Sequence, residues 1–468
     1  MKGITFFLLL VTFSTLHSQP VTLRDTTNQY DYIIITVPEF LTACEPFRQH
    51  KETVRDFRTL VIDTTQIFAE FDSSATPQDN IRDFISYAGT FWKESRPKYF
   101  LIVGTVLMVP NFPIPFLPGP IYFYSDYYYC QNIYENDTTT TDFYIGRIPG
   151  KNETEVTNYF LKVISYESDD SLLSWINNAL FLCAGDGIQN LEFAFELASL
   201  LPSYIKPFYI AENDTSQYYG TLDSIYQAIN QKGNSVVWLF GLSDDPYIGG
   251  SDWLKPEDLN GFSNEDKYFY TISSGRQRAI LDTNTNLSHA MLVLPNAGSI
   301  GGSVFVGYTY SSINREFQIN WASRLFNPLY NSIGEVFVSD NLPFNGLYNY
   351  VRKVANLWAD PSLKLKYDET VGVEKVEEEI PQSFTLYQNY PNPFNPSTTI
   401  KFALPVDSKV KINVFNSLGQ LVETLMDKEM ESGYHEVSFN ASKLASGVYL
   451  YQMQAGENVS IKKMILLK

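Results

Sequence analysis

The feature that most limits how this chain can fold is a repeated exchange of short β-branched runs for helical segments between Asp31 and about Tyr367. Asp31-Tyr-Ile-Ile-Ile-Thr36 is almost continuously apolar, as a strand buried on both faces of a parallel sheet must be. Pro38-Glu39 then opens an amphipathic helix to about Arg55, because proline fits the first helical turn, where its missing N–H costs no bond. Thr59 to Ile62 reads as a strand, Pro77 to Glu94 as a helix, and Tyr99 to Val103 as a strand ending at Gly104. The proline-rich stretch from Val109 to Pro120 reads as a surface loop that can be neither helix nor central strand. Asp142 to Pro149 resumes an extended segment, and Glu153 to Tyr166 a helix. A second set follows, with a strand at Ala179 to Cys183, helices at Leu191 to Leu201 and Leu222 to Gln231, and strands at Ser235 to Phe240 and Tyr268 to Ile272. Strands alternating with helices pair in parallel, so two consecutive α/β halves are expected, 31–170 and 171–368.

Both ends of the chain differ from this body. Met1-Lys2, the apolar run Ile4 to Phe13, and small or polar residues through Ser18 have the order of a secretory signal peptide, with 19–30 as a polar lead-in. That run is too short to span a membrane comfortably, and no later stretch reaches the roughly 20 apolar residues that spanning requires, so the mature chain is expected to have no transmembrane segment. Residues 369–382 form an acidic linker without a large apolar face. Residues 383–468 alternate five strand-like runs with turn residues, the pattern of a small antiparallel β-sandwich.

Bulk composition narrows function mainly by exclusion. The 468 residues are 44% hydrophobic and carry a formal net charge of −18, which repels a nucleic-acid backbone over most of the surface. No nucleic-acid role is expected. Three cysteines, Cys44, Cys130 and Cys183, leave at least one thiol unpaired and imply no disulfide framework; small buried apolar residues is the ordinary reading.

The C-terminal run resembles the type A sorting domain of the type IX secretion system over its whole length. Tyr387-Gln-Asn-Tyr-Pro-Asn-Pro-Phe-Asn-Pro396 matches the opening motif, Thr399 to Pro405 the first strand, and Val414-Phe415 through Leu418-Gly-Gln-Leu-Val422 the central hairpin. Leu444 to Tyr451 and Lys462 to Lys468 complete the match. Such a domain implies export through the periplasm to the outer cell surface or the medium, with the type IX machinery as a partner through residues 383–468. A generic β-sandwich binding module would explain the strands but not this motif order.

Residues 31–366 resemble the gingipain family of cysteine peptidases, whose fold is similar to that of caspases. The first strand with Phe40, Pro46 and Lys51, then Asn80 to Ile85, Leu101 to Gly104, Ser125 to Tyr129 and Ile145 to Pro149, follow the family order. Glu155, Lys162 to Glu167, Ala297 to Gly301 and Leu357 to Leu363 continue it. The resemblance implies two caspase-like α/β subdomains with parallel sheets, and chemistry by a thiolate that an imidazole activates at the ends of neighbouring strands.

The sequence departs from the family at that point. In Val236-Val-Trp-Leu-Phe-Gly-Leu-Ser243, Leu242 stands at the histidine position; in Tyr268 to Gly275, Ser274 stands at the cysteine position, with Ser273 as the alternative register. Leucine cannot accept a proton, and a serine hydroxyl without an adjacent base is a poor nucleophile. Thr105, just after Gly104, stands where the family has an acidic residue. Outside the signal peptide and the tail only His50 and His289 remain, expected on helices as packing or surface residues. Asp244 and Asp245 could hold a cation, but adjacent carboxylates in a loop are ordinarily a solvated turn. No cofactor is expected, and a structural calcium is not readable from the sequence. Thr105, Ser243, Asp244, Ser273 and Trp253 are candidate cleft residues; Tyr127, Tyr128, Tyr129, Trp238 and Tyr247 are further candidates, for which packing is the commoner role.

These readings predict an exported pseudo-peptidase whose cleft holds a peptide or glycan without cutting it. The alternative is an active endopeptidase using Ser274 or an unrecognised nucleophile. A place in the secretion apparatus itself is a third reading, against which the sorting tail marks the chain as cargo.

Overall fold

The structure, a computed structural model, describes residues 21–72, 76–116, 121–134, 143–169, 174–185, 188–212, 216–241, 253–276, 286–339, 342, 346–369, 384–389, 392, 394–456 and 458–466. The signal-peptide run, the linker from 370 and the segment holding Leu242, Ser243, Asp244, Asp245 and Tyr247 lie outside the described residues. The chain divides into two units, 1–369 and 370–468.

The first unit opens with β1 (Tyr32–Thr36), β2 (Thr59–Asp63) and β3 (Tyr99–Val103). A two-stranded hairpin, β4 (Phe112–Phe116) and β5 (Ile121–Ser125), precedes β6 (Tyr144–Ile148). β1, β2, β3 and β6 form an all-parallel sheet in the order β2-β1-β3-β6. Every residue of β1 is buried, which explains its unbroken apolar run. The hairpin corrects the expectation of an irregular loop between Val109 and Pro120. Phe112 and Ile114 turn inward while Pro113 and Pro115 face solvent. A two-stranded ribbon tolerates proline because half of its N–H groups point away from the partner strand.

The second half contributes β7 (Asn178–Cys183), β8 (Lys206–Ala211), β9 (Val236–Phe240), β10 (Phe269–Arg276), β11 (Ser299–Phe305) and β12 (Ala355–Ala359). They form one sheet in the order β12-β11-β10-β9-β7-β8, parallel except for the antiparallel edge strand β12. The expected helix at Leu222 to Gln231 is an α-helical turn, Leu222–Tyr226, running into a π-helical one, Gln227–Lys232. The long helix Ser311–Leu325 and strands β8, β11 and β12 are additional to the strands and helices read from periodicity.

The two halves are joined by backbone contact and by buried charge. A Cβ on Gly146 of β6 would lie 2.0 Å from the Ala359 carbonyl oxygen of β12, so only glycine lets these strands meet. Lys51, fully buried on the helix Leu41–Val54, bridges Glu167 at 2.8 Å and Asp360. Asp360 also accepts from the Tyr32 hydroxyl at 2.7 Å and from Ser362, and its N–H donates to the Tyr159 oxygen at 2.7 Å. The Lys162 ammonium, 1% exposed on the helix Glu153–Ser168, donates to the carbonyls of Met291, Leu292, Ala297 and Ser299. One core cluster runs through both sheets, from Ile33 to Trp238 and Leu357.

The second unit is a sandwich with its own core. Its strands are β13 (Thr385–Leu386), β14 (Ser397–Leu404), β15 (Ser408–Asn416), β16 (Leu421–Met430), β17 (Gly433–Asn440), β18 (Gly447–Ala455) and β19 (Asn458–Leu466). They pair antiparallel in two sheets, β13-β14-β17 and β16-β15-β18-β19.

Candidate functional site

β9 and β10 are adjacent central strands, with Ser273 of β10 opposite Leu239 of β9. Ser274 therefore stands beside the end of β9, at the carboxyl edge of a parallel sheet where such folds place ligands. Its hydroxyl is half-buried and donates to the Leu239 carbonyl at 3.0 Å. β9 ends at Gly241, whose φ of +81° and 2.4 Å separation between a built Cβ and the Ala184 carbonyl oxygen demand glycine. Leu242 follows in sequence and, with Ser243, Asp244 and Asp245, lies outside the described residues.

Ser273 is fully buried and its hydroxyl meets the Ser288 hydroxyl at 3.1 Å, so this side chain faces the core and Ser274 is the one at the sheet edge. The Ser274 carbonyl accepts from the Asn314 amide of the helix Ser311–Leu325, which also donates to the Thr309 hydroxyl at 3.0 Å. Gln318 Nε2 in turn donates to Asn314 Oδ1 at 2.8 Å. This relay fixes the backbone at Ser274. Periodicity gives no hint of it, since an asparagine and a glutamine four residues apart on a helix are unremarkable in sequence.

The two described histidines of this unit lie elsewhere. His50 Nε2 sits 2.8 Å from Glu167 in the buried ionic cluster. His289 is 1% exposed on the short helix Leu287–Val293, its Nε2 3.3 Å from Glu155 Oε2. The separation suits an ion pair, but the alignment is too poor for a hydrogen bond. Cys44, Cys130 and Cys183 are all buried and unbridged. Burial pushes the Cys44 and Cys183 thiols up to about 12, so neither supplies a thiolate near neutral pH.

The other candidates are mostly packed. Thr105 is fully buried, beneath an Arg147 guanidinium that donates to the Gly104 and Val109 carbonyls at 2.9 and 3.0 Å and pairs bidentately with Asp126. Trp238 is buried and stacks on Phe181 with centroids 4.8 Å apart. Tyr129 is buried and bonds to the Pro110 carbonyl, and Tyr127 packs edge-on to the half-buried Tyr128. Trp253 is half-buried, its indole N–H donating to the Gly220 carbonyl at 3.1 Å. Among the described residues no group of three or more His, Cys, Asp or Glu side chains is arranged to hold a metal ion.

Residues 25–366 match the family model described as Peptidase family C25, the gingipain family, and residues 388–467 match the Secretion system C-terminal sorting domain. The chain belongs to peptidase family C25. Solved C25 structures share its fold. The Arg-specific cysteine proteinase gingipain R is 16% identical with a TM-score of 0.59, the alignment covering 93% of this chain and 98% of that one. A complex of the Porphyromonas gingivalis RgpB pro- and mature domains gives 16% identity and a TM-score of 0.58, over 93% and 100% of the two chains. No curated protein matches the chain. As a C25 member with a sorting tail, the protein is exported by the type IX secretion system to the cell surface or beyond; among the described residues, no helix is long and apolar enough to cross a membrane.

Proposed function

We propose that this C25 protein is a pseudo-peptidase, an exported binding protein whose cleft at the ends of β9 and β10 holds a peptide or glycan without cleaving it. The observation that carries the reading is at Ser274. The residue at the nucleophile position is a serine whose proton is directed to a backbone carbonyl, not to a base. Leu242 at the histidine position offers no lone pair, His50 is bonded to Glu167, and His289 is buried with its Nε2 3.3 Å from Glu155. Without a general base the serine oxygen stays protonated and loses the activation on which covalent catalysis depends. Trp253 belongs to this cleft assignment, with Ser243 and Asp244, which lie outside the described residues.

The test is cleavage of an unbiased peptide library by the purified mature chain, beside Ser274→Ala and Leu242→His/Ser274→Cys variants. No cleavage by the native chain and by Ser274→Ala is expected, with activity appearing in the double variant. Native cleavage that Ser274→Ala abolishes would overturn the reading and establish an active serine endopeptidase.

A further inference from the structure

We infer that the outward face of the four-stranded sheet in the C-terminal unit is the surface a protein of the secretion machinery reads. This rests on the sorting-domain reading of residues 388–467.

In an antiparallel sandwich, alternate residues face the core and the others face water, so outward positions are ordinarily polar. The three-stranded sheet obeys this rule. Ser397, Thr399 and Lys401 of β14 lie opposite Asn440, Ser438 and Glu436 of β17 on its outer face, while Ile400 and Phe402 are fully buried. The four-stranded sheet departs from it. Leu421 of β16 pairs with Phe415 of β15, which pairs with Leu450 of β18, forming one outward row across three strands. Val448 opposite Ile465 continues the patch onto β19; on the same face Ile461 lies beyond Lys463, which stands opposite Leu450. Leu421, Val448 and Ile461 are 56%, 44% and 55% exposed, and none of these six side chains joins the core of the unit. Such a contiguous apolar patch at solvent-facing positions marks a contact surface.

Gln388, Asn389, Asn392 and Phe394 of the opening motif are held by intramolecular bonds, while the Tyr387 side chain is 41% exposed. Gln388 Nε2 donates to the Lys463 carbonyl at 2.7 Å, and Asn392 Oδ1 accepts from the Ile465 N–H at 2.8 Å. The Phe394 N–H donates to the Ile465 carbonyl at 2.9 Å, while the Asn389 N–H and side chain bond to Tyr451 and Thr398. The motif is a clasp over the free edge of β19, which would otherwise present unpaired groups. It builds the domain.

Charge favours a protein as the occupant over an anionic lipid surface. Of the lysines on this face, Lys409 and Lys411 lie 3.4 and 3.3 Å from Asp427, which leaves Lys463 opposite Leu450, and one lysine is not the cluster of basic residues that an anionic surface attracts.

The experiment uses the full chain in a host with a type IX secretion system, reading the fraction that reaches the surface and medium. Leu421→Thr/Val448→Thr/Leu450→Thr/Ile461→Thr removes the apolar patch while keeping strand-compatible residues. Export is expected to fall about tenfold, as the loss of several central contacts does at a protein interface, with the chain accumulating in the periplasm. Lys401→Thr/Glu436→Thr on the opposite face is expected to export normally. Normal export of the patch variant overturns the inference. Because four substitutions can impair folding, a photo-cross-linker at Val448 in the otherwise native chain gives a second reading. An adduct with an outer-membrane component of the secretion machinery supports the inference; an adduct within the first unit, or with a second copy, overturns it. Deleting residues 383–468 separates the two levels, since normal export of the deletion removes the sorting reading itself. Blocked deletion with an exported patch variant removes only the assignment of the face.

Discussion

Glu167 shows how much a single side chain can carry. Burial alone would raise its pKa, but the Lys51 charge, the His50 ring and Arg55 outweigh that and hold it at about 2. In the unfolded chain a glutamate titrates near ~4.3, so its folded pKa is depressed and its stabilisation is fully present above that value. That contribution is lost as pH falls from ~4.3 toward about 2. Glu167→Gln is expected to destabilise the first unit by ~3 kcal/mol at pH 7, because it leaves Lys51 buried with one fewer anion. The difference from the parent chain should shrink in urea melts at pH 3, and a difference that stays constant with pH would contradict this account. At the proposed dyad positions, identity alone was legible: leucine at 242 and serine at 274. The Ser274 bond to Leu239 and the Asn314–Gln318 relay were not, because hydrogen bonds between distant elements leave no periodic trace in sequence.

The elements whose sequence pattern has one physical cause were read correctly, as with β1, β3 and the helix Pro77–Phe91, where burial on both faces or on one stripe dictates composition. The proline-rich hairpin was not, because proline excludes a central strand but not a two-stranded ribbon. The lead-in is a further case of tertiary context. Its polar composition gave no element, yet Leu23 is fully buried, its N–H donates to Glu70 at 2.9 Å, and its carbonyl accepts from the Trp92 indole at 2.9 Å. Arg24 adds a guanidinium 4.2 Å from the Phe71 ring centroid. The segment is a strap over the first half. Leu23→Ala should cost ~3 kcal/mol in chemical denaturation, the range for emptying a buried leucine site. A change below ~0.5 kcal/mol, as at ordinary surface positions, would mean that the strap is not part of the cooperative fold.

Across the whole molecule, the family motifs converge. Lys51, Lys162, Glu167 and Asp360 are scattered through the chain, yet each ties one half of the first unit to another of its elements, and three of them share one buried network. Lys162→Met should therefore destabilise both halves together, by ~3 kcal/mol or more, since it leaves buried carbonyls without a donor. Hydrogen exchange should show equal loss of protection in β1 and β11, whereas loss confined to β11 would show that the halves unfold separately. The sequence by itself determined the alternation of strands and helices, the family, the export tail and the residue types at positions 242 and 274. Each of these depends on residue type and local spacing. Only the tertiary structure decided which scattered charges meet, that the lead-in is a strap, and which face of the tail is left apolar. Those outcomes depend on register and packing between segments far apart in the chain, where burial sets the strength of each contact.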